Sequence, residues 1–378
     1  MFKLGRILNR LKKPSYRIHF NDGAYAHNPN EDKSLFVKFL LSGKVEYEVS
    51  LQPDHWGKAN IRYYAPWEIV ITDEYGRLVT RHCFNLERKR VRINIDSKSL
   101  GDTLAWIPQV DRFARAHPQT EVYCGHFWPQ LGLAEKYPHI HFIDPASKQD
   151  DIYATYVIGF YFDERCQNMH PKDPRTIPLA RVASDILGLE YEEVKPILPI
   201  ADTDPVFDRP TVCFAMESTS GCKLWQREGG WQELVNYLNH AGYRPALIQK
   251  GEDQLDNIIN LSGDYPITDR IEQLRDCTFF VGLGSGLSWL AWALGKKVVL
   301  ISGFSEPFAE FHNNCYRVIN TDVCHGCWND TNYNYDRGDW DWCPRYKGTS
   351  RQFECSKEIT VEQVIEAVGT LLADSQQQ

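Results

Sequence analysis

At 378 residues the chain is too long for one hydrophobic core and calls for two or three domains. Apolar content of 43% and charged content of 24% are ordinary for a water-soluble protein, and a net charge of −8 argues against general nucleic-acid binding. No apolar run approaches the roughly 20 residues that span a bilayer.

The start, MFKLGRILNRLKKPSYR, is basic and amphipathic. It lacks an uninterrupted apolar core and a cleavage site, so it does not read as a signal peptide. A cytoplasmic chain with no transmembrane segment is expected. Residues 1–90 carry alternating, β-branched stretches at Lys44–Leu51, Glu68–Thr72 and Arg77–Phe84, with Asp73–Gly76 as a hairpin turn. They predict a small antiparallel β domain with a role in assembly.

From 91 to 205 the pattern turns α/β. A strand at Arg90–Ile95 leads to a helix from about Leu104 to His117. Strands follow at Glu121–Cys124, Ile140–Ile143 and Ala154–Phe160, then a helix at Ile177–Leu187 that Gly188 stops. The proline-studded stretch Glu192–Phe207 reads as an interdomain linker. A second α/β unit, 206–314, opens with a buried strand at Thr211–Ala215. It continues through a loop into the helix Trp231–Ala241 and the strand Arg244–Gln249. Residues 315–356 hold a cysteine cluster, and 357–378 hold an amphipathic helix over Thr360–Leu372. Two consecutive α/β halves predict two facing Rossmann-like domains with a cleft between them.

The stretch Cys277–Gly303 predicts a strand (Thr278–Val281), a glycine turn, a helix (Leu287–Leu294) and a second strand (Lys297–Ile301). The turn Gly282–Gly286 lets backbone approach a ligand, and the helix N-terminus after it suits a phosphate. Ser285 and Ser288 can add hydroxyl donors. The spacing is neither a Walker A motif nor GxGxxG, and a plain βαβ packing turn is the simpler alternative.

Asp102 is placed in a loop just after a strand, at the carboxyl edge of the first sheet, with Gly101 before it and Thr103 able to cap the helix. There it can act as a general base on a hydroxyl, or merely as an N-cap. Lys223, after Ser218–Cys222, can reach a diphosphate and stabilise a leaving group. Glu252 and Asp253 follow a strand and can accept from ribose hydroxyls. Asp202 and Asp204 read as linker charges.

Of the eleven cysteines, Cys83, Cys213 and Cys277 read as buried thiols within apolar strands. Cys324, Cys327, Cys343 and Cys355 differ: they form C-x2-C-x15-C-x11-C in a polar, aromatic stretch without hydrophobic periodicity. Gly326 allows the tight turn of a knuckle. A tetrahedral site of four thiolates would tie the stretch down, and zinc or iron both fit. Two disulfides, free thiols, or His325 in place of one thiolate are the alternatives.

Gly101–Leu104, Lys223–Trp225 and Gly284–Gly295 occur in the order seen in bacterial heptosyltransferases of the GT-B fold. With the cysteine segment and the N-terminal β region, nearly the whole chain resembles the autotransporter heptosyltransferases. That resemblance implies an ADP-heptose donor, serine hydroxyls of an autotransporter passenger as acceptors, one iron ion (Fe3+) on the four cysteines with zinc as alternative, and a homo-oligomer, a dodecameric ring. It makes Asp102 the base and Lys223 a diphosphate contact. It places Ser285, Gly286, Leu287 and Ser288 around the phosphates, with Thr103, Thr219 and Glu252 also on the donor side.

Lipopolysaccharide heptosyltransferases commonly carry Asp and His where this chain has Gly284 and Trp289. The reading is an inverting transfer that needs no divalent metal at the diphosphate. The rival readings are a lipopolysaccharide-type heptosyltransferase with a sugar acceptor and a nucleotide-binding assembly scaffold.

Overall fold

The computed structural model describes residues 16–376; most of the basic start lies outside them. The N-terminal strands are β1 (Ile18–Asn21), β2 (Ala24–His27), β3 (Leu35–Leu41), β4 (Lys44–Leu51), β5 (Trp56–Ala59), β6 (Trp67–Thr72) and β7 (Leu78–Cys83). An antiparallel sheet of order β4-β3-β6-β7 forms as the alternation predicts. Leu35, Val37 and Phe39 of β3 and Trp67, Ile69 and Ile71 of β6 point to the core. Cys83, expected buried, is exposed at the end of the outer strand β7.

The next elements are β8 (Arg90–Ile95), α1 (Leu100–Ala116), β9 (Glu121–Gly125), β10 (Ile140–Ile143), β11 (Ile152–Ile158), α2 (Cys166–Met169) and α3 (Leu179–Ile186). Their sheet has the order β10-β9-β8-β11-β1-β2-β5. β1 therefore lies parallel to β11, and β2 and β5 extend it as antiparallel strands. Within the predicted N-terminal domain the described residues 16–90 are thus not a separate unit, because three of their strands complete the first α/β sheet. β1 is buried at Phe20, which packs edge-on against Tyr153 of β11 and against Phe84 just after β7.

The second half contains β12 (Thr211–Phe214), α4 (Gly230–His240), β13 (Arg244–Leu247), β14 (Ile259–Asn260), α5 (Ile267–Asp276), β15 (Phe279–Leu283), α6 (Gly286–Ala293), β16 (Val298–Ile301) and β17 (Cys315–Val318). The chain ends with α7 (Glu354–Lys357) and α8 (Val361–Gln376). The sheet order is β14-β13-β12-β15-β16-β17, parallel throughout. β12, β15 and β16 are buried at every residue, which explains their near-continuous apolar sequences. α8 covers β16 and β17 and touches α4. The halves meet through α1 and α6. Among the described residues no helix is long and apolar enough to cross a membrane.

Candidate functional site

Helix α1 starts four residues earlier than predicted, so Asp102 is in its first turn rather than in a loop. Ser99, not Thr103, caps the helix: its Oγ accepts from the Asp102 amide at 3.5 Å. Ser97 Oγ donates to Asp102 Oδ2 at 2.5 Å and fixes the carboxylate. The side chain keeps some contact with solvent, yet protein surrounds it on the other sides. Burial pushes its pKa up, against the lowering effect of the Ser97 bond and the positive charges of Lys223 and Arg337. A carboxylate of this kind can accept a proton from a bound hydroxyl.

Opposite stands the glycine turn. Leu283 ends β15 and α6 begins at Gly286, with Ser285 as an N-cap residue whose side chain makes no capping bond. The first amides of α6 have no acceptor within the helix, which leaves them for an anion. A Cβ on Gly286 would stand 3.1 Å from Leu100 Cβ and 3.6 Å from the Gly101 nitrogen. The N-termini of α1 and α6 therefore abut, and Asp102 lies at their junction.

Two expected donors are otherwise engaged. Ser288 is fully buried and its Oγ donates to the Leu283 carbonyl at 2.5 Å. Thr103 is likewise buried, with Oγ1 donating to the Ser99 carbonyl at 3.3 Å. Ser285, Gly286 and Leu287 remain partly accessible at the turn.

The loop after β12 carries Lys223 in a short 3-10 turn, Gly221–Lys223. Lys223 Nζ lies 5.6 Å from the centre of the Phe304 ring. Thr219 is exposed nearby in the same loop, and the buried Ser218 Oγ has no partner. Glu252 and Asp253 are exposed beyond β13. The carboxylate that does engage this region is Glu217, whose Oε2 accepts from the Gly251 amide at 2.9 Å.

Cys324, Cys327, Cys343 and Cys355 line one small cavity, together with Cys222 from the Lys223 loop. Gly326 takes φ +67°, and a Cβ there would strike Glu306. The segment builds a small aromatic core against the loop after β16: Phe304 from that loop packs ring against ring with Trp328, Tyr335 and Trp342. Among the described residues no three His, Cys, Asp or Glu side chains are arranged to hold a metal ion. The donor chemistry nevertheless suits a cation. Burial, reinforced by the neighbouring sulfurs, pushes Cys327 up to about 12 and raises Cys355 as well, so a cation would have to displace their protons. Arg345 Nη1 lies 3.7 Å from Cys324 Sγ.

Sequence reasoning missed the residues that join this segment to the halves. Buried Arg175 donates to the carbonyls of Trp328, Tyr333 and Asp330, each at 2.6 Å, and of Cys327 at 3.2 Å. Trp340 accepts from the Gly221 amide at 3.1 Å. Arg337 donates to the Phe160 carbonyl at 3.3 Å and faces the Phe162 ring. None of these carries a local sequence signal.

Residues 175–311 match the glycosyltransferase family 9 (heptosyltransferase) profile. The autotransporter heptosyltransferase Aah of Escherichia coli is 36% identical, over 93% of this chain and 92% of its own. The chain belongs to the autotransporter heptosyltransferases. Another relative in the family, the inactive autotransporter heptosyltransferase BimC of Burkholderia thailandensis, is 33% identical over 94% of this chain and 85% of its own. The crystal structure of TibC from enterotoxigenic E. coli, a dodecameric iron-containing glycosyltransferase, superposes with a TM-score of 0.89 at 33% identity, over 95% of this chain and 96% of that one. A second TibC structure, in complex with ADP-D-beta-D-heptose, gives 0.88 at the same identity and coverage. The chain shares the α/β glycosyltransferase fold of TibC.

Proposed function

We propose that the chain is an inverting, ADP-heptose-dependent protein O-heptosyltransferase of GT-B architecture, acting on serine hydroxyls of an autotransporter passenger. The observation that carries this reading is the Asp102 carboxylate set where the N-termini of α1 and α6 abut. Asp102 takes the serine proton as the hydroxyl oxygen bonds to the anomeric carbon. The bond from that carbon to the ADP phosphate oxygen breaks, and its electron pair leaves with ADP. Lys223 and the first amides of α6 meet the charge that develops there, so a divalent metal is not needed at the diphosphate.

In this reading Ser285, Gly286 and Leu287 surround the phosphates, with Thr219 and Glu252 on the nucleoside side. Cys324, Cys327, Cys343 and Cys355 would hold one iron ion (Fe3+), with zinc as the alternative, and the ion's charge would keep their thiolates ionised and tie the segment down. The TibC likeness supports an iron-bearing, dodecameric homo-oligomer; a cytoplasmic location and assembly through the N-terminal β region complete the reading.

BimC favours a second reading, in which the chain keeps the fold and the donor site without transferring sugar. Co-expression with a serine-rich passenger in bacteria that make ADP-heptose separates the two. A ladder of heptose-sized mass increments on the intact passenger, absent with Asp102→Ala, supports transfer. An unmodified passenger beside folded enzyme that binds ADP-heptose supports the second reading.

A further inference from the structure

Glu310 lies in the loop between β16 and β17 and reaches the glycine turn from the side. A Cβ on Gly284 would stand 2.9 Å from Glu310 Oε1 and 3.9 Å from Ser302 Oγ. Only a residue without a side chain leaves room for that carboxylate at the turn. The carboxylate is held on both oxygens: Ser305 Oγ donates to Oε1 at 2.7 Å, and Arg317 Nη1 donates to Oε2. Arg317 is itself anchored, with Nη2 donating to the carbonyls of Ser305 at 2.6 Å and Ser302 at 3.3 Å. Glu310 and Arg317 side chains are only 12% and 11% exposed.

Gly284 and Ser302 directly follow β15 and β16, at the carboxyl edge of the parallel sheet where ligands of such folds bind. The loop also touches the other half: the Leu179 amide donates to the Ala309 carbonyl at 2.9 Å, and Glu193 accepts from the amides of His312 and Asn313. Glu310 therefore stands at the seam, beside the amides that suit phosphate.

Neutralising Arg317 does not require a carboxylate oxygen at the turn. A carboxylate is a pure acceptor, so it repels a diphosphate and suits hydroxyl donors. Oε1 retains acceptor capacity beyond the single Ser305 bond. We propose that Glu310 is a donor-sugar contact, its Oε1 accepting from hydroxyls of the transferred polyol while Ser305 and Arg317 set its position and Gly284 clears its path. This rests on the ADP-heptose reading above.

The test is calorimetric titration of the full-length protein with ADP and with ADP-heptose in parallel. Glu310→Gln keeps the shape and removes the charge. ADP affinity should hold or rise, since a negative charge beside the diphosphate is removed, while ADP-heptose affinity falls about 10- to 100-fold, the loss of a hydrogen bond to a charged group. Equal losses for both ligands overturn the proposal, because Glu310 then merely builds the turn. No loss for either overturns it as well. Should Glu310→Gln fail to fold, Ser305→Ala is used, and a loss confined to ADP-heptose is again the supporting result. Wild-type protein that binds ADP but not ADP-heptose overturns the heptosyltransferase reading and this proposal with it.

Discussion

The indole of Trp289 lies against Gly101, so that a Cβ at position 101 would stand 2.8 Å from Trp289 Cδ1. The ring has little freedom to yield. It is 4% exposed and packs against Phe311 and Trp292 with ring centres 4.9 Å and 5.4 Å away. This contact sets the approach of α1 to α6 and hence the distance between Asp102 and the first amides of α6.

Gly101→Ala should therefore destabilise the protein by about 1–3 kcal/mol, the usual cost of overpacking, even though alanine is the better helix former by about 1 kcal/mol. Trp289→Leu in the same chain should recover part of that loss. Urea unfolding of the single and double variants checks the sign. A single variant more stable than wild type would show that the two helices are free to part.

Asp102→Asn should lower transfer by about 10²- to 10⁴-fold, the range for losing a general base, while ADP binding persists. The pH dependence follows from burial. Asp102 titrates above the ordinary carboxylate value in the folded chain, so it binds a proton more tightly folded than unfolded. Its ionised form thus costs stability above the folded pKa, and that cost vanishes as pH falls below the unfolded value. Asp102→Asn should be the more stable protein at neutral pH, with the gap closing on acidification. The acid limb of kcat/KM in wild type should lie above the range of a free carboxylate. A limb at the free-carboxylate value would remove Asp102 from the base role.

On the proposed iron site, Cys327→Ser should abolish metal binding and lower the melting temperature. Cys327 is buried among Cys324, Cys343 and Cys355, and three thiols hold a tetrahedral ion poorly. Metal analysis of purified wild type should give one iron per chain, and the variant close to none. A wild-type protein without metal and with unchanged stability would contradict the assignment.

Much of this was legible before the structure. Strands such as β15 and β16 announce themselves because both faces are buried and nearly every residue is apolar. The Gly282–Gly286 turn was visible because glycine run and helix start are adjacent. What stayed hidden depends on who pairs with whom across the chain. Phe20 faces Ala154 across a parallel pair that no local pattern encodes. Glu310 and Arg317 meet because the loop after β16 folds back onto β17. Cys222 joins the cysteine cavity from a loop read only for donor contacts at Thr219 and Lys223. Asp102 was singled out as a candidate base, but its helix start was misplaced, since Ser99 caps a turn that Gly101 makes look like a loop.

Arg175 offers the sharpest test of how the cysteine segment is held. It is 3% exposed and spends its guanidinium on four carbonyls between Cys327 and Tyr333. Asn329 Nδ2 returns a bond to the Arg175 carbonyl at 2.6 Å. Arg175→Ala would leave those carbonyls without their donor in a protected site, at a cost of about 3–5 kcal/mol. Arg175→Lys should recover little, because an ammonium cannot reproduce the planar fork. Arg345→Ala is the contrasting case: its pair with Asp330, at 2.9 Å, is about a quarter to a third exposed, so about 0–1 kcal/mol is expected. Limited proteolysis followed by mass spectrometry reads the difference. In Arg175→Ala, cleavage should concentrate between residues 323 and 353, while Arg345→Ala keeps the wild-type pattern. Equal resistance in both variants would mean that the segment's aromatic core holds it without Arg175.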